Sequence, residues 1–171
     1  MDIQDVIADL GYLALGTRLK RLGERLQSQT QVLLGLADIE LPASHFPLLM
    51  ALDRLGAVNV GELAQVLGAS QPGVTRMLDK LETEGLVEST QSAQDRRVRS
   101  IALTRSGRQL ISRAKRTVLP TVDAAVAEAC AGPARPLLGG LAALEQALTT
   151  APLSVRAERV RSGNEATDDS A

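Results

Sequence analysis

The sequence predicts a mostly α-helical chain with one small β element, and three observations predict it. The apolar residues make up 44% of the 171 and are mostly Leu, Ala and Val, with one Phe, one Tyr and no Trp. Leu and Ala are strong helix formers, whereas aromatic residues favour strands. Apolar positions recur at helical spacing along most of the chain. Only residues 86–90 and 98–103 read as short strands, the second with alternating apolar positions.

Residues 2–36 read as one long helix or a broken pair, with Leu15, Leu19, Leu22 and Leu26 on one stripe and Arg18, Lys20, Arg21 and Arg25 on other faces. Such a stripe at a terminus needs a partner to cover it, and a second copy of the chain is the natural one. Leu41-Pro42-Ala43 breaks the pattern, and Ser44 is placed to cap a second helix through about residue 55. Asn59, with Glu62 three residues on, marks a helix start; that helix runs to Leu67 and is expected to bury Leu63, Val66 and Leu67. Gly68-Ala69-Ser70 forms a tight turn. Ser70 caps a further helix, in whose first turn Pro72 is tolerated because its missing N–H would have lacked a partner there. Val74, Met77, Leu78 and Leu81 face inward, and Gly85 stops the helix.

Two short helices joined by a small-residue turn form a helix-turn-helix. The second leaves Gln71, Gly73, Thr75, Arg76, Asp79, Lys80 and Thr83 outward, and Gln, Thr and Arg near its start can reach base edges in a major groove. The hairpin that follows carries Asp95-Arg96-Arg97 at its tip, which suits a narrow minor groove; an ordinary solvated hairpin with Asp95 paired to an arginine is the competing reading. Together these elements read as a winged helix-turn-helix. Thr104 starts the next helix, with Leu110, Ile111, Ala114 and Val118 inward and a kink expected at Pro120. Gly132-Pro133 separates it from a last helix at about 137–148. The division expected is 1–42 for an N-terminal dimerisation region, 43–104 for the reading head, 105–150 for C-terminal dimerisation helices, and 151–171 for a polar, disordered tail.

Charge points the same way. Net charge is −1, yet residues 96–116 hold eight bases and no acid, while residues 1–60 hold seven acids against five bases. A polyanion would meet one local face, or the run is simply a solvated helix face. The scarcity of aromatics disfavours single-strand or RNA binding, which stacks bases on rings. No nucleophile elbow, phosphate loop or metal-ligand spacing is present, so neither an enzyme nor a metal site nor a cofactor is expected. The single Cys130 forms no internal disulfide and sits among Ala and Val without nearby bases, which reads as structural rather than redox-active. The acidic start and the lack of an apolar run of about 20 residues predict a cytoplasmic protein without membrane contact.

The string from Ser70 to Leu103, with its Gly85-Leu86-Val87 exit, its Asp95-Arg96-Arg97 wing and its Leu103-Thr104-x-x-Gly107 restart, resembles the MarR family of bacterial transcriptional regulators. The order of elements matches over residues 10–150. The resemblance implies a homodimer with intertwined terminal helices, gripping a pseudo-palindromic double-stranded site. It implies that Arg97 enters the minor groove with Asp95 bracing it, and that a small, often phenolic, ligand releases the DNA. On this reading Ser70, Gln71, Gly73, Thr75, Arg76, Lys80, Asp95, Arg96, Arg97 and Arg99 meet DNA. Arg96 and Arg99 neutralise phosphates while Gln71, Thr75 and Arg76 sample bases. Tyr12, His45 and Phe46 are the candidate ligand contacts, against a helix-start histidine with no ligand role. Two departures stand out: Ser89 replaces an arginine frequent in the family, and Pro133-Ala134-Arg135-Pro136 precedes the last helix in place of a capped acidic turn. A winged-helix module that contacts proteins or ligands without reading DNA is the alternative.

Overall fold

The computed structural model describes residues 6–91, 99–130 and 137–168, except the side chains of 91, 99 and 163–168. In order these form α1 (Val6–Asp9), a 3-10 turn (Gly11–Ala14), α2 (Leu15–Leu36), a second 3-10 turn (Ala43–His45), α3 (Phe46–Leu55), β1 (Val58–Asn59), α4 (Val60–Leu67) and α5 (Gln71–Thr83). Then come β2 (Val87–Gln91), β3 (Arg99–Leu103), α6 (Arg105–Thr117), α7 (Leu119–Ala129), α8 (Leu137–Thr150) and α9 (Leu153–Asp168). The chain divides into two compact units, residues 1–123 and 124–171.

In the first unit the N-terminal pattern is a broken pair. Gly11 takes φ +55, a left-handed conformation costly for a residue with a Cβ, and α2 begins four residues later. Leu22, Leu26, Val32 and Leu36 of α2 stay largely exposed in the single chain. At its far end α2 drives Leu34, Ile39 and Leu41 into the core. Gln31 secures the exit, donating Nε2–H to Leu41 O at 3.2 Å and accepting Ala43 N–H at 2.7 Å.

Ser44 does not cap α3. The chain enters through the 3-10 turn, where His45 N–H donates to Pro42 O at 2.9 Å, and no side chain caps the helix. Pro47 in the first turn removes one of the orphan donors a cap would have served. Phe46, Leu48, Leu49 and Leu52 then bury one face.

The sheet has three strands in the order β1-β3-β2, all neighbours antiparallel. β1 is the unforeseen one: Val58 pairs with Ile101 and Asn59 with Ser100. A two-residue strand shows no alternation in sequence, and only its partner makes it a strand. α6 and α7 break at Val118, with Pro120 in the first turn of α7, where the ring's clash with a preceding carbonyl had predicted an interruption.

In the second unit the tail expected to be disordered is helical over most of its length. The polar average of 151–171 conceals Leu153-Ser-Val-Arg-Ala-Glu-Arg-Val-Arg161, which is rich in helix formers. Arg156 also joins the two helices: its Nε–H donates to Ala151 O at 2.8 Å and Nη2–H to Ala147 O at 2.6 Å, the latter a carbonyl that also accepts Ala151 N–H at 3.0 Å. Among the described residues no helix is long and apolar enough to cross a membrane.

Candidate nucleic-acid interface

The helix-turn-helix is α4 and α5. Asn59 Oδ1 accepts Glu62 N–H and Glu62 Oε2 accepts Asn59 N–H, both at 2.9 Å, which completes a reciprocal cap. Asn59→Ala should cost the protein about 1 kcal/mol, read as a lowered midpoint in thermal or urea unfolding. Leu63 and Ala64 carry the buried side of α4. Val66, expected inside, is 57% exposed because it lies off the stripe that residues 63, 64 and 67 define. Gly68, at φ +59, ends the helix and turns the chain into α5.

α5 starts as the sequence predicts. Ser70 Oγ accepts Gly73 N–H at 3.3 Å, and Pro72 lies in the first turn. Val74, Leu78 and Leu81 enter the core while Gln71, Thr75, Arg76, Asp79, Lys80 and Thr83 are exposed on the other side. Thr75 Oγ1–H donates to Gln71 O at 2.9 Å and Arg76 Nε–H to Pro72 O at 3.3 Å, which orients both side chains. Arg76 keeps its terminal N–H groups and Thr75 its acceptor lone pairs for a partner. Ser70 caps the helix, Gly73 is half-buried, and the exposed polar side chains of α5 include Gln71, Thr75, Arg76 and Lys80.

Gly85, at φ +68, closes α5: its N–H reaches Glu82 O at 2.9 Å and Leu86 N–H reaches Leu81 O at 2.9 Å, the paired bonds of a Schellman stop. The start of α6 is keyed to that stop. Thr104 N–H donates to Leu86 O at 3.1 Å, and Thr104 Oγ1 donates to Gly85 O at 2.6 Å while accepting Gly107 N–H at 3.0 Å. The Thr104-x-x-Gly107 restart is thus a clamp between the recognition helix and α6.

β2 and β3 pair from Val87↔Leu103 to Gln91↔Arg99. The wing residues Asp95, Arg96 and Arg97, and the side chain of Arg99, lie outside the described residues. The rest of the basic run is reassigned. Of the five cations on α6, Arg108 donates to Leu103 O, Arg113 to Asp38 O at 2.9 Å, and Lys115 pairs with Asp53 of α3. Three charges that looked like a polyanion footprint therefore brace α6 against the rest of its unit, and the spacing of bases in sequence carried no sign of this.

Of the candidate ligand residues, Tyr12 is 94% exposed whereas His45 and Phe46 are buried, and none of the three lines either of two crevices in the first unit. One crevice of about 430 Å³ is lined by Asp38, Glu40, Leu41, Glu84, Leu86, Leu110 and Arg113, at the junction of the α2 exit, the end of α5 and α6. The other, about 470 Å³, lies over α3 and α4 and includes the Asp53–Lys115 pair.

A helix-turn-helix with an outward polar helix, followed by an antiparallel wing, defines the winged-helix class of DNA-binding regulators. The model of the MarR family matches residues 41–98. A structure of the transcriptional repressor CouR, bound to a 23-mer DNA duplex, is 32% identical with a TM-score of 0.67, covering 80% of this chain and 96% of that one. The chain belongs to the MarR family. YfiV of Bacillus subtilis (strain 168), an uncharacterized HTH-type transcriptional regulator, is 33% identical over 73 residues; the match spans 43% of this chain and 44% of that one, so the chain aligns with less than half the length of this relative. An E. coli MarR mutant complexed with operator DNA is 24% identical, with a TM-score of 0.61 and coverage of 77% and 94%, and shares the fold. These relatives are transcriptional regulators.

Proposed function

We propose that the protein is a homodimeric repressor that reads a pseudo-palindromic double-stranded operator in the cytoplasm and is released by a small molecule, catalysing no reaction. The observation that carries this is α5: Gln71, Thr75, Arg76 and Lys80 stand exposed opposite the buried Val74, Leu78 and Leu81. A helix fixed on one side and polar on the other can lie in a major groove without disturbing its own seat. The similarity to CouR, whose structure contains a DNA duplex, supports the same reading.

Residues 43–104 act as the head, and 1–42 with 105–150 as the region that joins two copies. The exposed apolar residues of α2 supply the surface for that joining. Gln71, Thr75 and Arg76 sample base edges, Lys80, Arg96 and Arg99 meet phosphates, and Arg97, braced by Asp95, enters the minor groove. The 430 Å³ crevice suits the releasing ligand, because it touches the end of α5 and the α6 clamp together.

The test is binding to DNA from upstream of the protein's own coding region, titrated with salt beside an unrelated fragment. Specific binding by one dimer, weakening steeply as salt rises, is expected. A folded dimer that binds neither fragment would overturn the reading in favour of a protein-contact module. Within that assay Arg97→Ala should weaken operator binding by about 1–3 kcal/mol, and a folded variant with full affinity would remove the wing contact.

A further inference from the structure

The crevice over α3 and α4 has no part in the reading of DNA. It measures about 470 Å³, within the range of about 300–1,000 Å³ that small-molecule sites occupy. Its walls are apolar: Met50, Ala51 and Leu67 are partly buried against the core, and Pro47 and Val66 stand beside them. Val66 is a large apolar side chain that no other part of the single chain covers well. Three charged side chains line the same crevice, and they are not equivalent. Lys115 of α6 is paired with Asp53 of α3, so these two charges offset each other. Arg54, in the last turn of α3, is exposed and has no hydrogen-bond or ion-pair partner among the described residues. Two bases against one acid leave an apolar crevice with one positive charge in excess.

We propose that this crevice binds a small monocarboxylic acid with an apolar body: the hydrocarbon lies against Met50, Ala51, Val66 and Leu67, and the carboxylate takes the guanidinium of Arg54. The site is separate from the crevice beside α5 and does not depend on the DNA-reading function. Two effects select the ligand. Apolar burial supplies affinity, up to about fourfold for each methylene that the walls cover. Charge supplies discrimination. A guanidinium presents paired N–H donors that match the two oxygens of a carboxylate, whereas an ammonium would meet Arg54 as a like charge. Asp53 does not reverse this preference, because Lys115 already offsets it.

Octanoate is the probe, with octylamine and butanoate beside it, all below the concentrations at which they form micelles. The chain has three methionines, so NMR of methyl-labelled full-length protein gives a reporter in the crevice, Met50, and one outside it, Met77 of α5. We expect octanoate to shift the Met50 methyl resonance saturably while Met77 stays in place, and to raise the thermal unfolding midpoint. Octylamine and butanoate should each bind at least severalfold more weakly. Arg54→Gln should lose octanoate affinity severalfold, and Val66→Asp, at an equally exposed position, should lose more by bringing a carboxylate to the apolar wall. No saturable shift at Met50, equal binding of octylamine, or unchanged octanoate affinity in either folded variant would each overturn the site. A shift at Met77 without one at Met50 would place the acid elsewhere and overturn it as well. The measurement uses the protein without DNA, so failure of operator binding would sink the DNA-reading function and leave this result standing.

Discussion

Gly107→Ala is expected to destabilise the protein by about 3 kcal/mol, the largest effect of any single methyl group added here. A Cβ built on Gly107 would lie 2.1 Å from Leu86 O, 3.1 Å from Leu86 C and 3.3 Å from Leu103 Cδ2. The first is backbone, which cannot swing aside as a side-chain end would. It is also tied: Leu86 O accepts Thr104 N–H, and Leu86 N–H completes the stop of α5. Any shift that relieves the clash must therefore pull on α5, β2 and α6 together. Alanine's better helix propensity, about 1 kcal/mol, acts the other way and is the smaller effect. Thermal unfolding should show a midpoint lowered by about 5–10 °C. Gly35→Ala, where an added Cβ meets nothing within 4 Å, serves as control and should leave the midpoint level or slightly raised. Equal behaviour of the two variants would mean that the close approach of α6 to Leu86 is not maintained in solution.

That junction also shows what was legible in the sequence and why. Asn59 with Glu62, Ser70 with Pro72, Gly85, and Thr104 as a helix start are local devices: each satisfies backbone groups within a few residues, so residue type and spacing are enough to find them, whereas the hold of Thr104 on Gly85 and Leu86 is not local. The same is true of the outward face of α5, which follows from helical period alone. What escaped depends on distant partners. β1 exists because β3 lies beside it, and Ser44 gives way as a cap because the preceding residues already form a 3-10 turn. Arg108, Arg113 and Lys115 look like any solvated bases until Leu103, Asp38 and Asp53 are seen beside them. His45 reads in sequence as a ligand contact or a helix-start histidine with no ligand role, and no periodicity announces that it is buried. The family model matches residues 41–98 and does not extend to α9.

Leu81→Ala is the second large effect, about 2–5 kcal/mol, and it connects stability to DNA reading. Leu81 is fully buried on the inward face of α5, below the exposed residues proposed to meet DNA. Its backbone carbonyl also accepts the Leu86 N–H that ends the helix, so the side chain sits at the point where α5 is both packed and stopped. Truncation removes three carbons from a filled site, and neighbours such as Val74 and Leu78 cannot collapse onto the gap without moving the helix that carries them. A domain of ordinary stability, about 5–15 kcal/mol, would stay folded at moderate temperature but with α5 held less firmly. Operator affinity should therefore fall under conditions where circular dichroism still reports native helix content, and raised exchange of α5 amides should accompany the loss. Thr83→Ala, two residues on and on the exposed side, should change stability by no more than about 0.5 kcal/mol. If Leu81→Ala lost stability but kept full operator affinity while folded, the reading face would have to draw its order from the DNA itself rather than from the core beneath it.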